Sequence, residues 1–62
     1  MQSAEIKALR RSMNLTQEQF AGRLGVSVST VQKWEGGRAV PRGLYRGALV
    51  SLARRLHRSS GH

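Results

Sequence analysis

The sequence predicts an all-α fold of four short, compactly packed helices, and three observations predict it. Apolar residues recur at helical spacing along most of the chain, from Ile6, Leu9 and Met13 to Leu44, Ala48, Leu49, Leu52 and Leu56. Helix starts and stops alternate at short intervals, with Thr16 and Ser27 as N-cap candidates and Gly25 and Gly36-Gly37 as stops. The chain has only 62 residues, so it buries only about 60% of the surface its unfolded form exposes. A core that small must be compact and helical, or be completed by a partner.

The first helix runs from a cap at Ser3 to about Ser12, and Asn14-Leu15 turns the chain. Thr16-Gln17-Glu18-Gln19 fits a capping box, Thr16 capping and Gln19 standing at the third helical position. Leu15, just before the cap, is placed to staple onto Phe20. The second helix spans Gln17 to about Leu24, with Glu18 suiting the positive end of its dipole. Gly25 supplies a left-handed stop, and Ser27 caps a third helix from Val28 to about Glu35. Gly36-Gly37 ends it, and a loop follows around Val40-Pro41. The last helix starts near Gly43 and runs to about Arg58. Tyr45, Leu49, Leu52 and Leu56 form its seam, Leu44 and Ala48 widen it, and Val50 and Ala53 point elsewhere. Gly47 weakens this helix, because glycine costs about 1 kcal/mol against alanine there. One domain is expected over 1–58, with 59–62 a flexible tail.

Charge narrows the partner. The net charge is +8 and the pI about 11.9. The acids are Glu5, Glu18 and Glu35, and there is no aspartate. After Glu35 come Arg38, Arg42, Arg46, Arg54, Arg55 and Arg58 with no acid among them. So basic a domain expects a polyanion, nucleic acid or an anionic membrane. No apolar run approaches the roughly 20 residues of a membrane span. There is no cysteine and no signal pattern at the N-terminus, so a cytoplasmic location is expected. Three dispersed glutamates without aspartate or cysteine offer no acid–base pair and no nucleophile triad, so no enzyme and no cofactor is expected. His57 and His62 stand apart near the end of the chain, and no metal site is expected.

The informative unit is 17–36. Two short helices meet across a tight turn, which needs a small residue at the crossing, Ala21, and one tolerating positive φ, Gly25. Phe20, Leu24, Val26, Val31 and Trp34 stand where apolar plugs are required between the helices. Together these describe a helix-turn-helix.

On these residues the sequence resembles the XRE family, which contains the phage Cro and lambda repressor DNA-binding domains. The resemblance is carried by 6–10, by Leu15 to Ala21, by Leu24-Gly25-Val26-Ser27, and by Val31 to Arg38, and covers roughly 4–41. The Trp34-Glu35 pair is similar to the bacterial antitoxin and small-regulator branch, which includes HigA-type antitoxins. Family members commonly have five helices; this chain has room for four. The resemblance implies a lambda repressor-like domain that binds double-stranded DNA, with the third helix in the major groove. Val28, Ser29 and Lys33 are then the expected base contacts. Ser27, Thr30 and Gln32 are expected at the phosphates or groove wall, and Arg23, Arg38 and Arg42 on the backbone. Gln17 resembles the family's phosphate-clamping glutamine, and Arg10 and Glu35 resemble a family ion pair.

Phe20 and Trp34 are expected in the core, whereas Tyr45 fits core edge, phosphate contact or dimer interface equally. Part of the last helix should close the core and the remainder meet a second copy, making a homodimer at least on DNA. The leading function is a transcriptional repressor; the alternative is an antitoxin whose main partner is a toxin protein. A cationic membrane-active peptide is a third reading, from the basic amphipathic last helix.

Overall fold

The computed structural model describes the backbone of residues 1–60 and the side chains of residues 1–56. The fold is all-α, with α1 (Ser3–Ser12), α2 (Gln17–Leu24), α3 (Val28–Glu35) and α4 (Gly43–Ser60) in order, and no strand among the described residues. The expected four helices are all present. The side chains of His57 and Arg58, and all of His62, lie outside the described residues.

α1 starts one residue earlier than the sequence suggests. Its N-cap is Gln2, not Ser3. The reason is Glu5, whose Oε1 accepts from the Gln2 N–H at 2.9 Å and so draws Ser3 into the first turn. The box at α2 forms as expected: the Gln19 N–H donates to Thr16 Oγ1 at 3.1 Å, and the Thr16 N–H donates to Gln19 Oε1 at 2.9 Å. α3 is capped by Ser27, whose Oγ accepts from the Thr30 N–H at 3.2 Å.

One device ends each of the first three helices. A residue with positive φ follows the last turn: Asn14 at 58°, Gly25 at 75°, Gly37 at 76°. The next N–H then folds back five residues, Leu15 to Arg10 O (3.3 Å), Val26 to Ala21 O (3.0 Å) and Arg38 to Lys33 O (2.9 Å). This closure satisfies carbonyls that a helix end leaves bare and turns the chain sharply.

The core takes residues from every helix: Ile6 and Leu9, Phe20 and Ala21, Val31 and Trp34, and Leu49. Phe20, Ile6, Val31 and Leu49 are fully enclosed. α3 packs on both α2 and α1, and Ala21 sits buried in α2, as the tight crossing requires. A domain of this length is stable by only about 3–9 kcal/mol. Truncating Phe20 to alanine costs about 3–5 kcal/mol, a large part of that.

α4 departs from expectation in three ways. Ala53, expected to point away, packs against the core beside Leu52 and Leu56. It precedes Leu56 by three positions, so the inward stripe is wider than the single seam. Leu44 and Ala48, expected to widen the seam, are exposed instead, Leu44 at 88%. The helix also continues to Ser60, two residues past the expected end at Arg58, since no stop residue comes before Gly61.

Candidate nucleic-acid interface

α3 is divided by burial along its length. Val31, Trp34 and Glu35 face inward, and Ser29, Gln32 and Lys33 are exposed. Val28 and Thr30 are half-buried, and Val28 packs against the core, so only part of its side chain is left for an outside contact. The outward face thus combines a hydroxyl, an amide and an ammonium on a helix of eight residues, about 12 Å long. A B-DNA major groove is about 12 Å wide and admits one helix.

Behind that face lies a connected polar network. Arg10 Nε donates to Glu35 Oε2 at 2.7 Å and its Nη2 to Oε1 at 3.0 Å. The third nitrogen, Nη1, donates to the Leu15 carbonyl at 2.9 Å. Gln17 Nε2 donates to the same Glu35 Oε1 at 3.2 Å, and Gln32 Nε2 donates to Gln17 Oε1 at 3.4 Å. Glu35 is the one acid on α3, and its side chain is only 2% exposed. Burial alone would push its pKa up. The Arg10 and Gln17 hydrogen bonds, with the charges of Arg10 and Lys7, outweigh that and hold it below the usual carboxylate range. The hydrogen bond from Arg10 to Glu35 likewise raises the guanidinium pKa against its own desolvation.

The network has an electrostatic consequence. An acid on the outward face would repel a polyanion; here the carboxylate is turned inward and compensated, leaving Lys33 as the charge α3 presents. Arg23 in the last turn of α2, Arg38 just after α3 and Arg42 before α4 are exposed, and none has an ion-pair partner among the described residues. Ser27 and Thr30 bind each other through their hydroxyls at 3.0 Å, in addition to the cap.

The expected site residues therefore separate. Ser29, Gln32 and Lys33 share the exposed face, and Arg23, Arg38 and Arg42 are exposed on the elements bracketing α3. The Gln17 side chain is half-buried and spends its amide on Glu35 and Gln32; its position at the start of α2 leaves its backbone N–H for an anion. The Gln17–Gln32 bond went unread in the sequence, because the two residues are fifteen positions apart and meet only through the α2–α3 crossing. Tyr45 rests against Trp34, ring centroids 6.0 Å apart and tilted by 51°, and is 40% exposed. No helix among the described residues is long and apolar enough to cross a membrane.

Compared with known proteins, the chain matches the helix-turn-helix family model HTH_3 over residues 6–44. No curated protein and no solved structure matches it. The matched stretch takes in most of α1, all of α2 and α3, and the loop leading into α4.

Proposed function

The chain belongs to the XRE-type helix-turn-helix family of DNA-binding transcription regulators, and we propose that it is a sequence-specific repressor that inserts α3 into the major groove of double-stranded DNA. The observation that carries this reading is the outward face of α3, where Ser29 and Lys33 are exposed while the helix's only acid is buried against Arg10. Lys33 donates to guanine O6/N7, Ser29 bonds either class of base, and the exposed part of Val28 meets a thymine methyl. Arg23, Arg38 and Arg42 hold phosphates, with Ser27 and Thr30 at the groove wall and the Gln17 backbone N–H on a further phosphate. A symmetric dimer places two copies of α3 about 34 Å apart over a palindromic site.

The test is a gel mobility shift with the gene's own upstream duplex and a scrambled duplex, at about 50 and 200 mM salt. Tighter binding to the native duplex by about tenfold or more, kept at the higher salt, is the expected result. Equal binding that disappears with salt would leave only a polycation on a polyanion.

A second reading has its own observation. Leu44 at 88% and Val40 at 56% exposure are large apolar side chains facing solvent near the start of α4. They favour a protein partner, either the second copy or, in an antitoxin, a toxin. If a small protein encoded beside this gene co-purifies with the chain and Leu44→Asp releases it, the antitoxin reading gains over simple repression.

A further inference from the structure

An ionised carboxylate can only accept hydrogen bonds. Glu35 therefore dictates the direction of every bond that leads away from it. Its Oε1 must receive a donor, so the amide nitrogen of Gln17 faces it at 3.2 Å. The Gln17 carbonyl oxygen is then turned the other way, toward α3, and must receive a donor in turn. Gln32 supplies it through Nε2 at 3.4 Å, at the long end of the hydrogen-bond range. Two amides that either orientation would suit in isolation are thus read in one direction only. Arg10 anchors the far end with two bonds to the carboxylate and one to the Leu15 carbonyl.

The exposed amide of Gln32 keeps its carbonyl oxygen and one N–H free. That is one acceptor beside one donor. In the major groove adenine offers the complement, the N7 acceptor and the N6 amino donor, whereas guanine offers two acceptors at N7 and O6. We propose that Gln32 reads an adenine, and that Gln17 and Glu35 are positioning residues that fix which edge of its amide faces the DNA. This goes beyond a groove-wall role for Gln32 and rests on the DNA-binding reading above. Holding a long side chain in its bound rotamer before the encounter also saves part of the ordering cost, worth about two- to tenfold in affinity.

The experiment is binding-site selection from a randomised duplex library with the wild type, Gln32→Ala and Gln17→Ala, followed by affinities for the selected site and its single-base variants. Gln32 is exposed and Gln17 half-buried, and a thermal melt checks that both variants fold. The wild type should select an adenine at one position of each half-site and prefer it over guanine by about fivefold or more. Gln32→Ala should lose that preference and keep the others. Gln17→Ala should blunt the same position, which a purely structural role would not do, since that weakens all positions alike. Uniform weakening by Gln32→Ala with every preference intact would place the amide on phosphate and overturn the proposal. Loss of preference for a base other than adenine would overturn the deduced direction of the amide. A wild type that selects no sequence would instead refute sequence-specific binding itself, and this inference with it.

Discussion

Glu35 is surrounded by donors: Nε and Nη2 of Arg10 and Nε2 of Gln17. A buried ion pair adds little net stability against an apolar replacement, but removing one partner strands the other. Arg10→Ala leaves a carboxylate that is 2% exposed with one amide for company, and should cost about 3 kcal/mol, the low end for such pairs because Arg10 itself is not fully enclosed. In a domain this small that lowers the melting temperature by more than about 10 °C, read by circular dichroism. The pH dependence has a definite sign. Glu35's pKa is depressed on folding, so its contribution is whole above the unfolded value, about 4.3, and is lost as pH falls through the lower folded value. The wild type should lose stability on acidification below about pH 4.3, and Glu35→Gln should flatten that limb of the curve. The two kinds of proposed DNA contact are also separable by residue. Lys33→Ala should relax discrimination at one base position by about 1–3 kcal/mol. Arg38→Ala should weaken binding to all sequences alike and reduce the log–log salt slope by about 0.9.

The ends of the helices matter as much as their faces. Gly25 stands at φ 75° between α2 and α3, and a Cβ there would meet no atom within 4 Å. The obstacle to a side chain is backbone conformation alone, so Gly25→Ala should destabilise by about 1–2 kcal/mol without any clash. Gly47 is the opposite case. It lies within α4, a Cβ there also meets nothing, and its φ is ordinary, so Gly47→Ala should stabilise by about 1 kcal/mol. A urea melt of both variants checks the pair of signs. These stops explain why so much of the fold is legible from the chain. Thr16 with Gln19, Ser27, Gly25 and Gly37 are local chemistry, decided within five residues, and their helices fall where the sequence places them. Boundaries set by a longer reach are less legible. Glu5 captures Gln2 and moves the start of α1, and α4 passes Arg58 because nothing halts it. Which side of α4 a residue faces depends on where α1–α3 leave room, and Ala53, Leu44 and Ala48 are the residues misplaced for that reason. In the candidate interface, the exposure of Lys33 and Ser29 follows from helical phase, whereas the Gln17–Gln32 bond follows only from the crossing of two helices.

At the scale of the molecule, charge and area oppose self-association in free solution. The chain carries +8 and exposes 4532 Å² in all. A standard interface covers about 800 Å² on each partner, roughly a sixth of that surface, and Leu44 and Val40 supply only a small apolar part of it. Two such cations repel until phosphates neutralise them. Sedimentation should therefore find one copy free and two on a palindromic duplex, and Leu44→Asp should abolish the second without altering the fold. One protein per site with the wild type would exclude the dimer.

The Trp34–Tyr45 contact bears on how such binding can be watched. Trp34 is the chain's one tryptophan, 4% exposed, and belongs to α3 on the face away from solvent. Its indole emission should be blue-shifted in the folded protein and should move to the red on unfolding, giving an unlabelled optical reporter of the core. Excitation of Tyr45, 6.0 Å away, will transfer to it and disappear as a separate band. Because the ring is buried on the inner face of α3, a spectral change on adding DNA reports an altered environment around α3, not quenching by stacked nucleobases.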